Sequence, residues 1–106
     1  MVEVKQKIIA LPRLNNLCPT MESTALKLME EAGELAQAIG KFRGLNGEEI
    51  VFKEPEVLSR IVRELLDVAQ TAVSMMFVLE EQYGIDIEQA VDEHINKLVA
   101  KGYLRI

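Results

Sequence analysis

The chain has 106 residues, of which 49% are hydrophobic and 27% are charged, a balance that predicts one globular domain and excludes a disordered chain. Its formal net charge is −5, so it lacks the basic surplus with which a protein neutralises the phosphates of a nucleic acid polymer. No basic and apolar leader is visible, and the least polar run (65–79) contains Asp67 and Gln70 and is too short for a membrane span. We therefore predict one domain over residues 1–106, in the cytoplasm.

Residues 1–19 come before the first strong helical pattern. Pro12 and Pro19 bracket an irregular segment, in which residues 3–10 could form a short helix. Cys18 is the only cysteine, which excludes an internal disulfide. We predict a plain loop or core thiol rather than a nucleophile, because a catalytic cysteine needs a nearby histidine and the chain has only one.

The first long helix is predicted to follow Thr20, whose hydroxyl can cap it. Apolar residues then recur at intervals of three and four, the helical period: Met21, Ala25, Leu28, Ala32, Leu35 and Ile39. Gly40 and Gly44 weaken the end of this helix. We predict a loop over residues 43–54, with a short turn or strand at 49–52.

The second helix is predicted to begin near Pro55 and to end at Gly84, a length of about 43 Å at about 1.5 Å per residue. The third begins after Asp86, with Gln89 three residues later as in a capping box, and ends at Gly102. Its predicted buried side consists of Ile87, Ala90, Val91, Ile95, Leu98 and Val99.

These patterns predict an all-α fold, a compact bundle of three to four helices with few strand signals. The second helix is long for a domain whose radius of gyration should be about 13 Å. Its centre, residues 68–79, is apolar over most of its circumference. We therefore expect apolar helix faces to pack against a second copy, giving a homodimer or a homotetramer.

Five acidic residues form the most informative pattern. Glu30, Glu31 and Glu34 crowd into "EEAGE", and Glu64 and Asp67 are three residues apart in "ELLD". At about 100° per residue, Glu31 lies at the edge of the apolar stripe of its helix, and its carboxylate and those of Glu30 and Glu34 point towards one patch beside the core. On the second helix, Glu64 borders the apolar side, while Asp67 points more towards the polar side. Such carboxylates repel one another unless a hard cation such as Mg²⁺ joins them, with waters or a substrate phosphate completing its coordination.

Other interpretations of the same residues stay open at this point. Lys27 could pair with Glu31 at a distance of four residues, and Arg60 or Arg63 could pair with Glu64 or Asp67 on an ordinary solvated helix face. A di-iron bundle would need Glu-x-x-His motifs, yet Val91 stands three residues before His94, the only histidine. The same shortage of histidine and cysteine disfavours zinc.

In the order, spacing and helical context of these acids, the chain resembles the MazG-like nucleoside triphosphate pyrophosphohydrolases, with their E-E-x-x-E … E-x-x-D signature. The resemblance covers roughly residues 20–100 and is closest in "LKLMEEAGELAQAI" and "RELLDVAQTAV". It implies hydrolysis of a nucleoside triphosphate between the α and β phosphorus atoms, giving a monophosphate and pyrophosphate. It also implies dimers or tetramers, and Mg²⁺, or Mn²⁺ in its place, held by Glu31, Glu34, Glu64 and Asp67.

Further roles are implied by the same resemblance. Glu30 and Glu31 are the expected catalytic residues, with Glu30 supporting the metal or orienting water. Asn96 and Lys97 are the expected substrate-binding residues, although this part of the match is looser. The 29 residues between Glu34 and Glu64 make a long gap for the signature. A non-enzymatic helical interaction or regulatory protein with a structural acidic metal site remains the alternative, and the preferred base or sugar is left open.

Overall fold

The computed structural model of the chain describes residues 3–43 and 54–106. This part contains three α-helices and no β-strand: α1 (Met21–Arg43), α2 (Glu54–Tyr83) and α3 (Ile87–Ala100). The predicted all-α fold is confirmed. The turn or strand predicted at 49–52 lies outside the described residues.

The start of α1 is fixed by a reciprocal cap. The backbone N–H of Ser23 donates to Thr20 Oγ1 at 3.0 Å, and the backbone N–H of Thr20 donates to Ser23 Oγ at 2.8 Å. Each of these hydrogen bonds satisfies a backbone donor that the helix itself leaves without an acceptor. At its other end, α1 passes through Gly40 and ends at Arg43, where the predicted loop begins.

The ends of α2 and α3 lie where the sequence predicts them. Gly84 adopts a φ of +66°, and the N–H of Ile85 donates to Leu79 O at 3.2 Å, which closes the last turn of α2. The side chain of Asp86 accepts from the backbone N–H of Gln89 at 3.0 Å and caps α3. Glycine in this left-handed conformation allows the chain to turn sharply between the two helices.

Residues 3–20 form no helix, so the short helix predicted at 3–10 is wrong. So few residues form a stable helix only where packing supports them, and here Ile8 remains 92% exposed. The later part of this N-terminal segment instead docks on α2. Gln70 Nε2 donates to Pro12 O at 2.8 Å, Gln82 Nε2 donates to Pro19 O at 3.3 Å, and Arg13 pairs with Glu81 at 2.6 Å.

Helices α1 and α2 pack antiparallel, and on each of them buried residues recur every seven positions. We call this contact the α1–α2 seam. The buried row of α1 consists of Thr24, Glu31 and Ala38, and that of α2 includes Val57, Thr71 and Val78. Glu64 falls midway between Val57 and Thr71 and lies opposite Glu31. Glu31 therefore lies in the centre of the buried face, not at its edge as predicted. The apolar stripe from which the buried face was predicted lies further round α1, and two of its residues, Met21 and Ile39, remain partly exposed.

Among the described residues, α1 and α2 make the only extensive helix–helix contact. The predicted buried side of α3 is wrong for the single chain, because Val91 is 48% exposed and Val99 is 38% exposed. The Cα atoms have a radius of gyration of 17.2 Å, against about 13 Å expected for a compact chain of this length. None of the three helices combines the length and the apolar character that crossing a membrane requires.

Candidate active site

Three carboxylates meet at the middle of the α1–α2 seam. Glu31, Glu34 and Glu64 each place one carboxylate oxygen within 4.8 Å of those of the other two. Glu31 and Glu34 are neighbours on the surface of α1 because they are three residues apart, and Glu64 reaches them from α2. The structure thus brings together three of the four metal ligands that the resemblance implied, and we call them the carboxylate cluster.

Two oxygen atoms of the cluster are buried without a donor. Glu31 is 7% exposed, and neither its Oε2 nor the Oε2 of Glu64 has a hydrogen-bond partner among the described residues. An ionised oxygen that has lost its water without gaining a partner is strongly destabilising. These two atoms therefore mark a place where a cation would restore the lost solvation.

The other oxygen of each of these residues faces a basic side chain. Lys27 Nζ lies 3.0 Å from Glu31 Oε1 and 3.8 Å from Glu30 Oε1, and Arg60 Nε lies 3.8 Å from Glu64 Oε1. Each of these basic side chains therefore pairs with a carboxylate of its own helix, while the two Oε2 atoms have no partner among the described residues. Ion pairing therefore engages one oxygen of each carboxylate and does not occupy the other.

The crowding of negative charge shifts the pKa values of two side chains, Glu34 and Lys27. The negative charge of Glu31 raises the pKa of Glu34, with burial and the charge of Glu64 adding to the effect. The hydrogen bond with Glu31 raises the pKa of Lys27, and the charge of Glu30 adds to it. Both shifts show that the cluster attracts positive charge, either a proton or a cation.

The donor set fits a hard divalent cation. All of the converging atoms are carboxylate oxygens, the ligands that Mg²⁺ and Mn²⁺ accept in proteins. The chain's single histidine, His94, is on the exposed surface of α3 and is not part of the group, and Cys18 lies in the N-terminal segment. The residues present therefore suit an oxygen-ligated cation and do not suit a zinc site of the usual nitrogen and sulfur type.

The other predicted site residues lie apart from the cluster. Asp67 is exposed and is outside the group of three, while its backbone oxygen accepts from Thr71 Oγ1 at 2.9 Å. Glu30 is exposed and contacts Lys27 only weakly. Asn96 and Lys97 are exposed on α3 and do not line the large cavity described next.

A cavity of about 860 Å³ opens beside the cluster, between the N-terminal segment, the first half of α1 and the second half of α2. Its volume lies in the range of small-molecule sites. Glu31 and Asp67 line one part of it, so the cavity reaches the carboxylates. Residues from all three elements line its wall, among them Arg13, Leu17, Thr24, Thr71, Ser74 and Phe77.

The sequence contains few signals from which this cavity could be predicted. Its wall depends on the N-terminal segment, whose position is fixed by contacts between residues more than fifty positions apart, such as Gln70 with Pro12. One usable signal was present: Gln70, Thr71 and Ser74 are polar residues inside the least polar run of the chain. Thr71 and Ser74 are buried, so their hydroxyls mark a polar patch within a largely apolar helix.

Comparisons with known proteins agree with this geometry. The sequence model of the MazG nucleotide pyrophosphohydrolase domain matches residues 19–101, which include all three helices and the whole carboxylate cluster. No curated protein and no solved structure matches the chain significantly. Because the matched residues make up most of the sequence, the chain belongs to the MazG nucleotide pyrophosphohydrolase domain family.

Proposed function

We propose that the protein is a nucleoside triphosphate pyrophosphohydrolase that depends on Mg²⁺, with Mn²⁺ as a possible substitute. It would cleave a (d)NTP between the α and β phosphorus atoms to give a (d)NMP and pyrophosphate. The observation that carries the proposal is the pair of buried acceptors that find no partner among the described residues, Glu31 Oε2 and Glu64 Oε2, beside a cavity of about 860 Å³. Its biological role would be to remove noncanonical or surplus nucleotides in the cytoplasm.

Glu31, Glu34 and Glu64 would hold the cation. Asp67 follows Glu64 by one helical turn, on the side of the cavity, and would join them or accept a hydrogen bond from a coordinated water. A divalent cation bound there would offset the charge of the carboxylates and of the phosphates and would make an attacking water more acidic. The protein's own contribution is a fixed set of oxygen ligands at the end of the cavity.

The substrate would lie with its phosphates near the cluster and its nucleoside in the cavity. A water molecule attacks the α phosphorus, the bond from that phosphorus to the bridging oxygen breaks, and pyrophosphate leaves. We propose Glu30 and Glu31 as the carboxylates that accept the proton of that water, a role that needs a group within hydrogen-bond reach. Holding the nucleoside in the cavity would align the water and the scissile bond.

The proposed assembly is a homodimer or a homotetramer. α2 carries an apolar stripe that is exposed in the single chain: Leu58, Val62, Leu65 and Met76. α3 adds exposed apolar residues, and it finds no extensive contact within the described part of its own chain. Exposed apolar surface of this kind is typical of protein interfaces.

A second copy would also give a role to α3. Asn96 and Lys97 do not line the cavity of their own chain. We propose that they bind the phosphates of a nucleotide held by a neighbouring copy, since an amide and an ammonium group both donate to phosphate oxygens.

The test is a screen of canonical and damaged NTPs and dNTPs, with release of pyrophosphate as the signal. With Mg²⁺ and the best substrate, Glu31→Gln, Glu34→Gln, Glu64→Gln and Asp67→Asn should each lower kcat/KM roughly 100-fold or more, because each loses charge stabilisation worth several kcal/mol. Glu80→Gln, an exposed residue on α2 away from the cluster, is the matched control and should leave the rate unchanged.

Thermal shifts separate the enzyme from a non-enzymatic interaction protein. Mg²⁺ alone should raise the Tm in both cases, because it binds the folded cluster. Only the enzyme should gain a further increase from a nonhydrolysable dNTP analogue added with Mg²⁺. No further increase with any base, together with no pyrophosphate release, would overturn the proposed function.

A further inference from the structure

Lys27 lies at the boundary between the carboxylate cluster and the cavity. Its Nζ is 3.0 Å from Glu31 Oε1, and its side chain also lines the cavity. Arg60 resembles it in pairing with a cluster carboxylate, but Arg60 does not line the large cavity. Arg13 lines the cavity, but its Nε is held by both oxygens of Glu81, at 2.6 and 2.8 Å. Lys27 is therefore the basic residue of the described chain that faces both the cluster and the cavity.

The Lys27 side chain is held by its ion pair with Glu31, a contact that it can exchange for another anionic partner. Lys27 is 56% exposed, and its stem is a flexible chain of four carbons ending in a compact charge. The partner oxygen, Glu31 Oε1, is distinct from the buried Oε2, the oxygen left free for a cation. A cation that reaches Oε2 would withdraw negative charge from Glu31 and weaken its hold on the ammonium group.

Charge balance at the boundary favours that exchange. Lys27 and Arg60 already pair with two of the three carboxylates, so a bound divalent cation would leave the cluster little negative charge with which to hold the ammonium group. A polyphosphate arriving at the cavity end of the cluster adds more negative charge. Lys27 is the basic side chain that both pairs with the cluster and lines the cavity, so its ammonium group can meet that polyphosphate.

From this geometry we infer that Lys27 occupies two positions: it pairs with Glu31 before the cation binds, and it binds the phosphates of the substrate afterwards. The inference rests on the proposed function and deepens it by naming a phosphate-binding residue on α1. In the first position Lys27 opposes cation binding through its positive charge. In the second it strengthens polyphosphate binding, so removing it should shift the two affinities in opposite directions.

The experiment measures two dissociation constants in Lys27→Met by calorimetry. For Mn²⁺ alone, the variant should bind roughly two- to fivefold more tightly, the range expected for losing an exposed competing pair. For inorganic pyrophosphate at saturating Mg²⁺, it should bind roughly tenfold more weakly, because a charge-assisted hydrogen bond is lost. Lys27→Arg, which keeps the charge, should restore most of the pyrophosphate affinity.

Lys101→Met is the matched control, because it removes one exposed lysine that neither lines the cavity nor pairs with the cluster. Both of its affinities should equal those of the wild type. A Lys27→Met protein with unchanged pyrophosphate affinity, or with both affinities shifted in the same direction, overturns the two-position role while the proposed function survives. A wild-type protein that binds Mn²⁺ but neither binds pyrophosphate nor hydrolyses any nucleotide overturns both.

Discussion

Glu31 occupies a position on α1 where an apolar side chain would ordinarily seal the contact with another helix. It is 7% exposed and lies between Thr24 and Ala38, in the row of residues that faces α2. The position of Glu64 on α2 is equivalent. An ionised side chain at the centre of a seam weakens the seam unless its charge is compensated. Placing acids there exchanges some stability of the cation-free fold for a binding site.

The stability of the cation-free protein should therefore depend on the protonation of Glu34. The charge of Glu31 raises the pKa of Glu34 above the ordinary value of 4.5. The folded state thus holds this proton more tightly than the unfolded state does. The resulting stability is fully present below about pH 4.5 and is lost as the pH rises through the raised pKa.

Glu34→Gln should remove this loss. In the presence of a chelator at neutral pH, the variant should have a higher Tm than the wild type, and its Tm should change less between neutral pH and pH 4.5. Adding Mg²⁺ should raise the Tm of the wild type more than that of the variant. Scanning fluorimetry across the pH range measures all of this, with Glu80→Gln as the control. A Tm profile of Glu34→Gln that parallels the wild type would contradict the prediction.

At the level of the helices, local chemistry was enough to predict where most elements begin and end. Thr20, Gly84 and Asp86 act as predicted because a cap depends on the few residues next to it. The rotation of α1 about its own axis, which decides the face that it buries, was not predictable in the same way. Which face is buried depends on α2, and the apolar residues of α1 spread over more than one face.

Gly84 offers a test of the helix-ending turn. Its φ of +66° is a left-handed conformation, in which an alanine costs roughly 1–2 kcal/mol. Gly84→Ala should therefore lower the free energy of unfolding by roughly 1 kcal/mol. The control is Gly33→Ala within α1, where an added Cβ meets no atom within 4 Å.

Because alanine is the better helix former, Gly33→Ala should raise the free energy of unfolding by roughly 0.5–1 kcal/mol. Urea denaturation monitored by circular dichroism measures both changes. Equal effects of the two substitutions would show that the left-handed turn does not limit stability.

At the level of the whole molecule, the sequence predicted the carboxylate cluster better than the cavity beside it. The cluster was predictable because Glu31, Glu34 and Glu64 are related by helical spacing and by the pairing of two long helices. The cavity was not, because its wall forms only when the N-terminal segment docks on α2 through Arg13 and Gln70. Such contacts leave no periodic trace in a single sequence.

The described part of the single chain is extended, which is consistent with the proposed assembly of several copies. The radius of gyration of 17.2 Å and the open position of α3 leave apolar residues on α2 and α3 without a partner in the described structure. Packing two copies along α2 would cover the stripe that contains Val62 and Leu65, which are 53% and 52% exposed. The same packing would leave the carboxylate cluster accessible, because the stripe lies on another face of the helix.

Leu65→Lys should therefore break the assembly without unfolding the chain. In analytical ultracentrifugation at micromolar concentration, the wild type should sediment as a dimer or a tetramer, and the variant should shift towards the 11.9 kDa monomer. Ile8→Lys changes an equally apolar residue that is 92% exposed in the N-terminal segment, and it should leave the assembly intact. If Asn96 and Lys97 serve the site of a neighbouring copy, Leu65→Lys should also lose pyrophosphohydrolase activity while keeping its affinity for Mn²⁺. A wild-type protein that is monomeric at every concentration would rule out the α2 stripe as an interface between copies.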